Sequence, residues 1–242
     1  AAAPARLIDS GPVEHMAGAD SALLLDALRS RRGFLARLLR GRFTLRHELS
    51  PQAAGAYEEL RAAFQALATA RLWHVEGTMP VDDPKRNAGV SETIARAQAR
   101  LSFVDPPPLR TGLEPPMLPA GKQCLWFLPA HVLVGDGGRF GTVPLDDLQV
   151  EVEDKPFVEQ GPVPPGASIV GTTWRHANKD GGPDRRFKDN AQLPILATQV
   201  FTLWSASGLL ECFQTEAPGA ATRLAEALAA MARHDVDVLE GG

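Results

Sequence analysis

The chain has 242 residues, 44% of them hydrophobic, and carries a formal net charge of −4 at pH 7. A chain of this length buries a substantial core without disulfides or metals, and its acidic balance argues against a general nucleic-acid or membrane-surface binder. No segment approaches the roughly 20 apolar residues that span a bilayer, and residues 1–10 lack a basic stretch followed by an apolar block, so a cytoplasmic protein without a secretory signal is expected.

Heavy use of Ala, Arg, Gly, Leu and Pro with few lysines points to a GC-rich bacterial genome. Residues 1–19 mix Ala, Gly and Pro without a period and read as a flexible arm. A helical unit is expected over 20–104. Its first helix starts at Asp20 as N-cap, places Leu24, Leu28, Leu35, Leu38 and Leu39 on one side, and stops at Gly41. The opposite side holds Arg29, Arg31, Arg32, Arg37, Arg40, Arg42 and Arg46, with no acid between Arg29 and Arg46. A second helix begins after Ser50, a natural N-cap, with Pro51, whose missing N–H costs nothing in the first turn. Tyr57, Leu60, Phe64 and Leu67 then recur at helical spacing. Residues 72–75 read as a short strand or extended exit. After a loop with Pro80, Pro84 and Gly89, Ser91 caps a third predicted helix bearing Ile94, Ala97 and Leu101.

Residues 105–122 hold six prolines, a density that reads as an extended connector and a domain boundary. Beyond it the apolar period changes from helical to alternating. Strands are expected over 124–128 and 131–135. A Gly137–Gly138 turn succeeds them, and strand character runs from Phe140 to Val152 with a break at Pro144. Residues 153–192 read as a long polar loop insertion. Strands over 194–204 and 209–214, joined through 205–208, precede a closing helix over 218–233 with Leu224, Leu228 and Met231 inward. The fold class is therefore α+β: a helical unit, then a 123–242 domain made of an antiparallel β-barrel or sheet closed by a C-terminal helix. Cys124 and Cys212 sit in apolar strand-like runs and are expected as reduced, buried thiols.

Short strands followed by one amphipathic helix resemble the pleckstrin-homology-like fold, including its bacterial branch. The likeness is carried by residues 125–129, by Val132, Leu133 and Val134 with the Gly137–Gly138 turn, by residues 141–148, and by Gly208, Leu209 and Leu210 ahead of the 220–231 helix. It covers roughly residues 123–234. The resemblance implies a barrel plugged by the last helix. Its lipid-binding members use basic residues between the first two strands, where this chain has Pro129, Ala130 and His131.

The densest polar segment is 174–190, with Trp174, Arg175, His176, Asn178, Lys179, Asp180, Asp184, Arg185, Arg186, Lys188, Asp189 and Asn190. Forked arginine donors beside a flat indole suit recognition of a carboxylate or phosphate. The same types also suit a solvated loop pinned by its own pairs, with Asp184 and Asp189 answering Arg185, Arg186 or Lys188. An EF-hand frame fits Asn178, Asp180, Asp184 and Asp189, but Pro183 occupies the position that requires glycine. His15, His47, His74, His131, His176 and His234 show no metal spacing, and no nucleophile-elbow, dinucleotide or P-loop motif is present, so no cofactor and no metal are expected. The expected function is a non-enzymatic binding or scaffolding protein that meets a protein partner through the polar loop and a sheet surface. One alternative is a hydrolase or nuclease using His176, Asp180, Asp184 and Lys188. Another is nucleic-acid binding through the Arg-rich first helix.

Overall fold

The structure, a computed structural model, describes residues 43–80, 92–107, 109–178 and 180–241. The predicted arm over 1–19, the arginine-bearing helix as far as Gly41, Ser91 and Lys179 lie outside the described residues.

Within them the chain runs β1 (Phe43–Glu48), α1 (Pro51–Ala68), β2 (Leu72–Pro80), β3 (Glu92–Gln98), β4 (Ser102–Phe103), β5 (Leu109–Arg110) and β6 (Pro116–Ala120). It continues through β7 (Gln123–Phe127), β8 (His131–Asp136), β9 (Arg139–Pro144), β10 (Leu148–Asp154), β11 (Phe157–Val158) and β12 (Ile169–Trp174). The last elements are β13 (Gln192–Leu196), β14 (Gln199–Ser205), β15 (Leu210–Thr215), α2 (Ala220–Met231) and β16 (Asp237–Gly241). The fold is mixed α+β. Its strands form four sheets, ordered β16-β1-β5, β10-β14-β15-β2-β3, β11-β13-β12 and β4-β6-β7-β8-β9, and among the described residues no sheet closes into a barrel. Among the same residues only β1 and β5 pair in parallel.

Helix α1 forms for the reasons its sequence announces. Ser50 is extended and its hydroxyl accepts from the Ala53 N–H at 3.1 Å, while Pro51 opens the first turn. Tyr57, Leu60, Phe64 and Leu67 are all buried, and each such side chain contributes about 1.5–3 kcal/mol relative to exposure. The Tyr57 hydroxyl donates to the Phe127 carbonyl at 3.0 Å, and the Phe64 ring lies 4.6 Å from that of Phe127. One polar contact and one aromatic contact thus pin α1 to β7. Helix α2 buries Leu224, Leu228 and Met231 as expected, but it packs on α1 and against β10 and β14, where the resemblance implied the plug of a barrel. The principal core draws on α1, α2, β7, β14 and β15 together.

Several expectations are corrected. Residues 92–98, expected as the third helix, are strand β3, paired antiparallel with β2 through partners such as His74 with Ala97 and Val75 with Arg96. Cross-strand packing there overrides a helical spacing that rested on few apolar positions. Strands β2, β3 and β4 thus occupy the second half of the expected helical unit, and α1 is its one helix among the described residues. Inside the proline-rich stretch, β6 is a strand between β4 and β7, whose inward residues Pro116, Leu118 and Ala120 are buried. It tolerates Pro119 because β4 reaches only Pro116 and Met117, leaving the rest of β6 an edge. The stretch is also crossed by a sheet, since β2 and β3 join β10, β14 and β15. The expected 194–204 strand is two strands, separated at Ala197 and Thr198. Cys124 and Cys212 are free and half-buried, not fully buried, and burial pushes both thiols up.

Residues 153–192 are not one loop. Strand β10 passes into β11 and β13 passes into β14, so two sheets form one bent antiparallel ribbon. The bend is fixed where the Lys155 N–H donates to the Thr198 carbonyl at 2.9 Å and the Thr198 hydroxyl donates back to the Lys155 carbonyl. Strand β12 lines the far part of the ribbon, and 175–191 connect it to β13.

Candidate binding surface

The predicted polar loop is the tip of the ribbon, and it spends its polar groups on itself. The Arg175 N–H donates to the Ala191 carbonyl at 2.8 Å. Asn190 continues the ladder with its side chain, accepting from the His176 N–H at 2.8 Å and donating to the His176 carbonyl at 2.7 Å. Asn178 donates to the Pro183 carbonyl at 3.0 Å, and an Asp180 oxygen accepts from the Gly182 N–H at 3.3 Å. The His176 and Phe187 rings stack at 3.9 Å. Asp184 is buried and takes the backbone N–H and guanidinium of Arg186, both at 3.0 Å. These bonds to Arg186 hold its carboxyl down to about 2. Trp174 is half-buried, whereas Arg175, Arg185, Lys188 and Asp189 are exposed. Asp180 and Asp184 answer different partners, and among the described residues no three His, Cys, Asp or Glu groups are placed to hold a metal.

At the bend of the ribbon lies a polar cluster that the sequence did not reveal. The Arg71 guanidinium reaches Glu159 at 2.7 Å and Glu216 at 2.8 Å, and the Trp73 indole N–H points to Glu216 at 3.4 Å. Hydrogen bonding to Glu216 raises Arg71. Burial pushes Glu159 up, but the Gly161 N–H and Arg71 together outweigh it and leave the carboxyl below its usual value. Arg96 sits 4.3 Å from the Trp73 ring centroid and 3.9 Å from that of Phe157, and donates to Gln214 at 2.7 Å. Burial lowers it, against the pull of both glutamates. A cleft of about 440 Å³ opens beside this cluster, between the end of α1, the turn at Pro164 and Pro165, and the start of α2. Its two cations are committed elsewhere: Arg71 holds the glutamates and Arg223 reaches Glu59 at 3.5 Å.

The β10-β14-β15-β2-β3 sheet has a buried face and an open one. Register places Val150, Val152, Phe201, Leu203, Phe213 and His74 on the inner side, where His74 Nε2 meets Glu211 at 2.7 Å. The outer side carries Glu151, Glu153, Thr202, Trp204, Leu210 and Cys212. Arg96 and Phe157 cover it at the Trp73 end, and at the other end Trp204 and Leu210 are direct cross-strand partners, exposed by 43% and 55%. No protein-family model, curated protein or solved structure matches this chain. Within the expected 194–204 strand, alternation puts Trp204 on the side of Thr202 and opposite Phe201 and Leu203, and that phase is the signal for the exposed face.

Among the described residues no helix is long and apolar enough to cross a membrane.

Proposed function

We propose that this chain is a non-enzymatic protein-binding module that docks a protein partner on the outer face of β10, β14 and β15, with the 174–190 loop at the tip of the ribbon as a second, separate contact. The exposed Trp204–Leu210 pair carries the reading. An indole and a leucine side by side on hydrogen-bonded strands leave considerable apolar area in water, and a rigid aromatic anchor of this kind is the commonest hot spot of protein interfaces. The loop contributes exposed Arg175, Arg185 and Lys188 to the same reading. The run β7 to β10, then β14, β15 and α2, also supports a distant, open counterpart of the pleckstrin-homology-like arrangement in residues 123–234.

The test is Trp204→Ala with Leu210→Ser. Both side chains face solvent, so thermal stability holds, while a partner identified by crosslinking and reconstituted from pure components binds at least about tenfold more weakly, as expected for loss of an aromatic anchor. Unchanged affinity of every reconstituted partner sinks the proposal.

A further inference from the structure

Strand β10 ends its sheet, and among the described residues it pairs only with β14. It is seven residues long, runs through an unbroken register from Leu148 with Ser205 to Asp154 with Gln199, and contains neither proline nor lysine. Proteins usually blunt such an edge with a bulge, a proline, a lysine or brevity, because its unpaired N–H and C=O groups template a further strand. Here the device is different. Glu151 and Glu153 point from the exposed face, their cross-strand neighbours are Thr202 and Val200, and among the described residues neither carboxylate has an ion-pair partner. Val150 and Val152 alternate with them on the inner side, half-buried against the core.

That pattern discriminates between occupants. A second copy pairing edge to edge in antiparallel fashion would set this acidic row against its own image, and like charges directly opposite one another destabilise a ladder. A strand with arginine or lysine opposite Glu151 and Glu153, and apolar side chains beside Val150 and Val152, meets complementary charge on one face and apolar surface on the other. We infer that the β10 edge accepts an extended segment of a partner protein in which basic and apolar residues alternate, adding it as a sixth strand to the five-stranded sheet. The inference rests on the protein-binding reading and names the chemistry of the partner.

The probe is a short peptide alternating arginine with valine or threonine, with the glutamate-for-arginine peptide as control. Binding of the arginine peptide to the full chain slows amide exchange over residues 148–154. Glu151→Lys with Glu153→Lys weakens it by at least about tenfold and transfers the preference to the glutamate peptide, because two attractive cross-strand pairs become repulsive. Binding without protection of the β10 amides, as for loose ionic attraction, overturns the inference, and so does binding unaffected by the charge reversal. The two readings separate cleanly: a Trp204→Ala, Leu210→Ser chain that loses its partner while the β10 amides never respond sinks only the edge, and β10 protection with intact partner binding by that double variant sinks only the Trp204 face.

Discussion

His47 gives the most direct measure of how β1 and β16 are held together. It lies on β1, half-buried opposite Val238 of β16, and burial, then the nearby charge of His131, depresses it from an ordinary 6.5 to about 4. The neutral ring is therefore the folded form. A histidine with a depressed folded value contributes stability that is fully present above its unfolded value and is lost as pH falls towards the folded one. The window runs from 6.5 down to about 4. A shift of this size corresponds to about 3 kcal/mol in total, with about 2 kcal/mol already gone by pH ~5. Urea denaturation of the wild type and His47→Gln over this range isolates the effect, since other titrating groups are common to both. The stability difference shifts in favour of the glutamine variant by about 2–3 kcal/mol on acidification. A flat difference, or a His47 ring proton that titrates near 6.5 by NMR, refutes the reasoning.

Two further outcomes come from packing. Arg71→Met leaves Glu216, whose side chain is 2% exposed, as an uncompensated buried carboxylate beside Glu159. The loss in urea is about 3–5 kcal/mol, and adding Glu216→Gln recovers part of it, whereas an equal loss in both variants would show that the charge is not the cause. At Gly135 an added Cβ would stand 2.8 Å from the Trp126 ring and 3.0 Å from that of Phe140. Gly135→Ala therefore costs about 1–3 kcal/mol by overpacking, read as a drop in Tm, and Phe140→Leu in the same chain relieves part of it.

What could be read from the sequence was local. The Ser50–Pro51 start and the Tyr57, Leu60, Phe64, Leu67 stripe specify α1 within one segment, and the Gly137–Gly138 turn between β8 and β9 needs two residues with positive φ, which they have at 55° and 85°. The failures are non-local. Residues 237–241 carry little strand signal and become β16 because β1, close to the other end of the described chain, supplies the pairing. Residues 92–98 become a strand because β2 lies alongside. The loop over 174–190 was rich in the right residue types, but type says nothing of where a charge is spent: Asp184 faces Arg186, and Asn190 completes a backbone ladder. The exposed face was legible in phase, through Trp204 among inward-facing neighbours, and was hidden by its overall apolar composition.

The polar cluster at the ribbon's bend connects these observations. An apolar contact between β11 and the sheet would hold the ribbon over a range of angles, since dispersion and burial are non-directional. The cluster is directional: Arg71 must satisfy two carboxylates from 159 and 216, Arg96 must lie between two rings while reaching Gln214, and Gln214 in turn donates to Thr198 at 2.9 Å, the residue that fixes the bend itself. Each bond narrows the allowed placement of Phe157, whose ring shares the Arg96 guanidinium with Trp73 on the outer face. The cover that Arg96 and Phe157 give the half-buried Trp73 end, against the exposed Trp204 end, is therefore set by hydrogen-bond geometry. A variant that replaces the Arg71 network with apolar side chains of equal volume keeps its stability but loosens that cover, and this separates specificity from stability in a fold where both pass through the same residues.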